Sequence, residues 1–531
     1  MTKCIIKHLF ICFFIAYCST GNLSAQTKKT RLIVAITIDG LQNDHLHTLS
    51  NSFEKNGFKL LMNGTVIPKN YCNYAGNGTT TDYASLVTGS IPYYHGIVSD
   101  KRYNLIEDNV VSILLDGRFR GINSNLTLSP KQLLTTTLAD VIKLNNPQSK
   151  VYAIARSAEH AIILGGHVAD GAIWIDDNTG KLATTNFYTQ GLPAWADKVN
   201  VNQTIEYYLH YEWRPLWSIE SYKFSPTSKD KKLFFKPTDK QTRQELIYQF
   251  KHTPFVNTLM KDLAIRALRD EKLGTDAFTD FLAVKFSVKL PNEQGNSLLS
   301  AEKEDIYLRL DRELRALLEA IEISVGLDNT LVMVAGTAQD PYSTKELASR
   351  QIASGQFNAK RSMALLNAYL MAIYGQGRYI SGYYTRQIYL NQALITNKKI
   401  DRKEIEQHVA QFMTELQGVH NAYTSDEIKK ANGCETTELA KIKNSRHKNC
   451  SGDVVFTLLP GWTEINERNE IIGVSSVQNS FLPVLLYGNR LPSQTILTPV
   501  KVTDITPTIC ALLQLQQPNG SIGHVIPEVV K

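Results

Sequence analysis

Asp39 closes the apolar, β-branched run LIVAITI, and three hydroxyls, Thr79, Thr80 and Thr81, stand ahead of the stretch DYASLVTGSIPYYHG. A run of that length, buried on both faces, is what an interior strand of a parallel sheet looks like. Ligands in open α/β sheets gather beyond the carboxyl ends of strands, so Asp39 is delivered to the usual place for chemistry. The threonines precede a helix predicted to start near Asp82. A hydroxyl at a helix N-terminus sits among free backbone N–H groups, which suits a nucleophile that must meet a phosphate.

These strings resemble the alkaline phosphatase superfamily, and within it the secreted bacterial phosphomonoesterase branch with a threonine nucleophile. TGSIPYYHG, with Ala84 and Ser85 before it, is similar to the family's ASxxTGxxPxxHG segment. That match puts the nucleophile position on Thr79 and the first metal-binding Asp on Asp39. The resemblance returns at GGHVADGAIW, DIYLRLDRELRALLEAI, LPVLLYG and DITPTICALL, so it runs from about Arg31 to the C-terminus. It implies an α/β fold, a mostly parallel sheet flanked by helices, with cap insertions. It also implies hydrolysis of phosphate esters by two zinc ions that clamp the attacking and leaving oxygens.

The zinc positions are where this chain departs from the family. The FSxPDxxGH motif corresponds here to FSVKLPNEQ, which puts Leu290 at the Asp position and Gln294 at the His position. The TADHG strand end falls on Thr337 and Ala338, and the His of the HVPLLxYG-like motif falls on Phe481. Leucine has no donor, and a carboxamide is a weak one for zinc. Asp39 is the one matching ligand. The phosphate-contacting positions change as well: the family's Asn becomes Asp100, and its Lys-x-Arg pair becomes Ser157 and Glu159, with Arg156 as a shifted substitute. Two carboxylates beside a phosphate dianion repel it unless cations compensate. Asp39, Asp82 and Asp100 together offer oxygens for a single calcium or magnesium instead; Asp82 alternatively caps the following helix. Of the histidines, His95 and His167 read as structural, His45 and His47 as exposed, and His160 as the one to watch.

The elements that carry these residues alternate between strand and helix. Strands are predicted at Leu32–Ile38, Val151–Ala155, Phe281–Val288, Thr330–Ala335 and Pro483–Tyr487. Helices are predicted at Asp82–Thr88, Lys131–Lys143, Val256–Glu271 and Ile306–Ile323, the last with a core-facing stripe from Leu308 to Ile321. Residues 177–250, rich in Tyr and Trp, read as a cap insertion, and 362–475 as a small α+β insertion. The aromatic string TIEYYLHYEWRPLWSIESY is either a stacking surface for sugars or a partner, or a packed cap.

Lys3 and Lys7, the apolar LFICFFIAY and Leu23-Ser24-Ala25 read as a signal peptide over residues 1–25, which places the domain at 26–531. Removing that segment takes two lysines and no acids, so the charge falls from +7 to +5. The excess is spread along the chain and gives no argument for nucleic acid. No later segment resembles a transmembrane helix, so a periplasmic or extracellular protein is expected. In that oxidising compartment Cys434 and Cys450 can close a disulfide contributing about 3 kcal/mol; the alternative is two unpaired thiols. Cys510 lies in an apolar stretch and reads as core.

Three functions compete on these residues. The main expectation is a secreted pseudophosphatase with no cofactor, which acts by binding an envelope protein, a glycan or a phosphorylated ligand. The alternative is an active phosphate or sulfate ester hydrolase that uses Thr79 with a rearranged metal site, zinc being the expected ion. The third is a structural subunit whose inserted modules do the work.

Overall fold

The computed structural model describes residues 29–530 except 77, 105, 225–234, 291–299, 338–343, 432–436, 449, 467–470, 475–480 and 489–490. The segment read as a signal peptide, residues 1–25, therefore lies outside the described residues, as do Cys434, Gln294 and Ala338. Residues 31–531 form one compact unit.

Its centre is an eleven-stranded sheet. Eight strands matter here: β1 (Leu32–Asp39), β2 (Thr65–Tyr71), β3 (Val151–Ile154), β4 (Gly171–Ile175), β5 (Leu182–Thr185), β6 (Asp280–Ser287), β7 (Thr330–Thr337) and β8 (Leu482–Tyr487). In space they run β2-β8-β7-β1-β6-β3-β4-β5. The block from β7 to β4 is parallel, and β8, β2 and β5 pair antiparallel at its two sides. All eight residues of β1 are buried. Leu32, Val34, Ile36 and Ile38 join the core on one face, and Ile33 and Ala35 join the core on the other. Burial on both faces is why the strand reads as an unbroken apolar run.

Four helices bear on the site: α1 (Thr79–Thr88), α2 (Ala158–Gly165), α3 (Phe255–Asp270) and α4 (Ala301–Ser324). The stripe Leu308, Leu310, Leu314, Leu317, Leu318 and Ile321 on α4 is buried. Two helix expectations need correction. α1 starts at Thr79 rather than near Asp82, so the threonines are its first turn. The helix expected at Lys131–Lys143 begins only at Leu138, because Thr137 and Asp140 form a capping box there and stop it from extending backwards.

Within 177–250, Trp195, Leu209, Trp213 and Phe250 enter the same core as the even-numbered residues of β1. Asp305 on α4 anchors this segment. Its carboxylate accepts from Trp213 Nε1 (2.7 Å), Leu216 N (2.7 Å), Tyr222 O–H (2.5 Å) and Arg309 Nε (2.6 Å). Trp213 and Tyr222 are thus packed, whereas Tyr207 and Tyr211 are exposed. Within 362–475, strands Ile380–Tyr384, Gln387–Leu390, Val454–Leu458 and Val419–Thr424 make a four-stranded antiparallel sheet. Helices Ala359–Tyr374 and Arg402–Thr414 supply Leu366, Leu370, Val409 and Met413 to the apolar cluster that also holds Ile388, Val454 and Phe456. Cys450 is a buried free thiol, its Sγ 3.7 Å from His447 Nδ1, and Cys510 is fully buried.

Asp305→Ala strands four donors at once, one of them charged. It should destabilise the fold by on the order of 3 kcal/mol, read by urea unfolding, with Asp305→Asn losing less.

Candidate active site

β1, β6 and β7 are neighbours in register, so their carboxyl ends bring Asp39, Ser287 and Thr337 level with one another. Lys285 lies two residues back from Ser287, opposite Thr37. Its side chain is fully buried in the strand DFLAVKFS. A buried ammonium needs a partner, and Lys285 finds one in Asp39: Nζ lies 2.7 Å from Oδ2. Arg156 Nη2 approaches the same oxygen at 3.6 Å. Oδ1 accepts from Thr337 Oγ1 at 2.9 Å and from the Tyr83 hydroxyl in a short hydrogen bond. Burial pushes the Asp39 carboxyl up, but the charges of Lys285 and Arg156 outweigh it and hold the group well below the usual carboxylate range.

Thr79 opens α1 after Gly78, whose φ of +147° favours glycine. A Cβ at Gly78 would also meet the Asp100 carboxylate at 2.7 Å. Asp100 Oδ1 accepts the Thr80 N–H at 2.9 Å, which satisfies one free amide of the first turn. Thr80 and Thr81 are fully buried, and Thr79 is the half-exposed hydroxyl of the three. Its Oγ1 lies 2.8 Å from His160 Nε2. His160 comes from the first turn of α2, with its ring edge-on to Tyr83 at 4.9 Å. Its Nδ1 meets Ser157 Oγ in a short contact and Lys285 Nζ at 2.6 Å. Burial, and then the charge of Lys285, hold this imidazole well below its ordinary value, so it is neutral. One network therefore runs from Thr79 through His160 and Lys285 to Asp39.

The other expected site residues stand around this network. Ser157 faces His160. Glu159 accepts from Ser112 Oγ at 2.8 Å, and burial raises its pKa. Arg156 also donates from Nη1 to the Lys251 carbonyl at 2.8 Å. Asp82 does not cap α1 but lies inside its first turn, accepting from the Tyr74 hydroxyl at 2.9 Å. Burial first, and Asp100 as well, lift its carboxyl to about 6. Asp39, Asp82 and Asp100 are each engaged separately. Among the described residues no three His, Cys, Asp or Glu side chains come together as a cation cage. His95 contacts Ser85 Oγ at 3.0 Å and accepts the Ile97 N–H, and His167 pairs with Asp140 at 2.8 Å; both hold structure. His45, expected to be exposed, is buried and stacks on Tyr307 at 5.0 Å. Reading the sequence missed Lys285 and Tyr83. The available signal was a lysine in the middle of an otherwise unbroken buried strand.

A family model for type I phosphodiesterase / nucleotide pyrophosphatase matches residues 33–471. The chain belongs to that family. Alkaline phosphatase PhoV of Synechococcus elongatus is 27% identical, over 99% of this chain and 100% of PhoV. Alkaline phosphatase PafA of Elizabethkingia meningoseptica is also 27% identical, over 96% and 97% of the two chains. A protein of Myroides odoratus named calcium-transporting ATPase is 28% identical, over 96% of each. The crystal structure of wild-type PafA matches with a TM-score of 0.85 at 26% identity, covering 95% of this chain and 99% of that one. The fold is that of the PafA-like branch of the alkaline phosphatase superfamily.

The two zinc ions implied by that family do not fit the residues present. Leu290 packs against the apolar core, Thr337 spends its hydroxyl on Asp39, and Phe481 sets its ring edge-on to Tyr71 at 6.4 Å. Neither the Gln294 amide nor the Ala338 methyl is a useful zinc donor. Both oxygens of Asp39 are already taken by hydroxyl and cationic donors.

Tyr83→Phe and Thr337→Val each remove one donor from a buried carboxylate. Each should cost roughly 1.5–3 kcal/mol in chemical unfolding, because a hydrogen bond to a charged group is lost. Full stability in both variants would mean that Oδ1 does not depend on those hydroxyls.

Proposed function

We propose that this chain hydrolyses phosphate esters, with Thr79 as nucleophile, His160 as the group that orients it, and Lys285 and Arg156 as the cations of the site. The observation that carries this reading is the 2.8 Å contact between Thr79 Oγ1 and His160 Nε2. A hydroxyl held by a neutral imidazole that a third group orients is a positioned nucleophile. Lys285 donates to Nδ1, so the ring hydrogen sits on Nε2 and is donated to Thr79 Oγ1, which fixes the direction of that hydroxyl. Attack then forms the Oγ–phosphorus bond and breaks the ester bond, whose electron pair leaves on the alcohol oxygen. The Thr79 proton passes through a phosphate oxygen to that alcohol oxygen, and water later releases phosphate and restores Thr79. Family membership and the alkaline phosphatase relatives support phosphoester chemistry over the expected loss of function.

Turnover in this reading is slow. A metal clamp supplies several kcal/mol of transition-state stabilisation, and about 1.4 kcal/mol is tenfold in rate. One observation favours a second reading, a binding protein without catalysis: the phosphate-contact positions Ser157 and Glu159 bond to His160 and Ser112. In either reading we place the protein in the periplasm or outside the cell, on the signal-peptide pattern of residues 1–25.

Hydrolysis of p-nitrophenyl phosphate and bis-p-nitrophenyl phosphate by the purified chain separates the two. Phosphoesterase action predicts turnover that Thr79→Ala reduces to background and that His160→Ala lowers about 100-fold, with His160→Gln, whose amide can still donate to Thr79, losing less. Indistinguishable rates for wild type and Thr79→Ala would leave the binding reading.

A further inference from the structure

We propose that Lys285 is a built-in cation that takes over the role of a divalent metal at Asp39, which makes this site independent of zinc. The inference stands whether or not the site turns over esters.

Geometry carries it. The Asp39 carboxylate is 1% exposed, and the side chain that neutralises it is itself fully buried. Lys285 Nζ lies 2.7 Å from Oδ2, 2.6 Å from His160 Nδ1 and 5.3 Å from the centre of the Tyr83 ring. Aspartate, histidine and an aromatic face are thus gathered around one ammonium, which is a cation's coordination shell assembled on a covalently fixed charge. A metal ion binds only as tightly as its ligand set allows, whereas Lys285 is delivered by β6 at a register set by main-chain pairing with β1. A divalent ion entering here would have to displace Oδ2 from two cations and Oδ1 from two hydroxyls. It would also sit within a few ångströms of the remaining positive charge. Nothing among Leu290, Thr337 and Phe481 would repay that displacement. The lack of zinc donors at these positions and the presence of Lys285 are then two halves of one arrangement.

The test compares the wild-type chain with Lys285→Met and with the double variant Asp39→Asn/Lys285→Met. Each is incubated with zinc, exchanged into buffer, analysed for bound metal by elemental mass spectrometry, and melted with and without zinc or EDTA. The wild type should hold only substoichiometric zinc and show a melting temperature that neither zinc nor EDTA moves. Lys285→Met should melt several degrees lower or fail to accumulate, because it leaves an uncompensated buried charge. The double variant should recover most of that loss, since it removes both charges. A lysine that serves only as packing would leave the double variant as unstable as the single, and that result overturns the proposal. Two equivalents of zinc on the wild type, or a melting temperature raised by zinc, overturns it too.

Discussion

A carboxylate buried at the end of the central strand has to be neutralised, and how this is done governs the rest of the site. Stripping water from a charge costs several kcal/mol, which is recovered only with close partners and a full set of hydrogen bonds. Asp39 meets that demand with Lys285 and Arg156 on one oxygen and Tyr83 and Thr337 on the other. These partners come from β6, the segment between β3 and α2, α1 and β7. The pair therefore ties the elements around the carboxyl end of the sheet to one another. Removing either ion alone leaves the other exposed to the full desolvation penalty.

The same pair sets the chemistry. In a two-metal site, the aspartate at the end of the first strand holds an ion that holds the substrate. Here the aspartate holds a lysine, and the lysine faces the histidine that faces Thr79. The scaffold of a phosphoesterase persists in the family match, the PafA-like fold and the threonine at the start of α1. Its electrostatics, in the proposal made here, rest on side chains rather than on mobile ions. A fixed ammonium carries half the charge of a zinc ion and cannot lower the pKa of a bound water as a metal does. The slow turnover proposed for this chain rests on that difference.

Much of this was legible in the residues. Asp39 and Thr79 stood out because a strand end and a helix start are marked by abrupt changes of residue type. The departures read at Leu290, Thr337 and Phe481 rest on the resemblance of the strings around them. Lys285 did not, because hydrophobic patterning treats one polar residue in a buried strand as noise, and its partner is distant in sequence. The start of α1 was misplaced because threonines are indifferent helix formers, and the cap that licenses them comes from Asp100 rather than from a neighbour. The helix near Leu138 was drawn too long because apolar spacing continues through residues that the Thr137 capping box excludes. His45 was misjudged because only the tertiary fold brings Tyr307 against it.

Crystals of the wild-type chain soaked in zinc and measured across the zinc absorption edge would decide what neutralises Asp39. An anomalous map with no peak at about 2.0–2.2 Å from its carboxylate oxygens, and with Lys285 Nζ still against Oδ2, is the result expected here. A zinc peak at that distance, with Lys285 turned away, would contradict it.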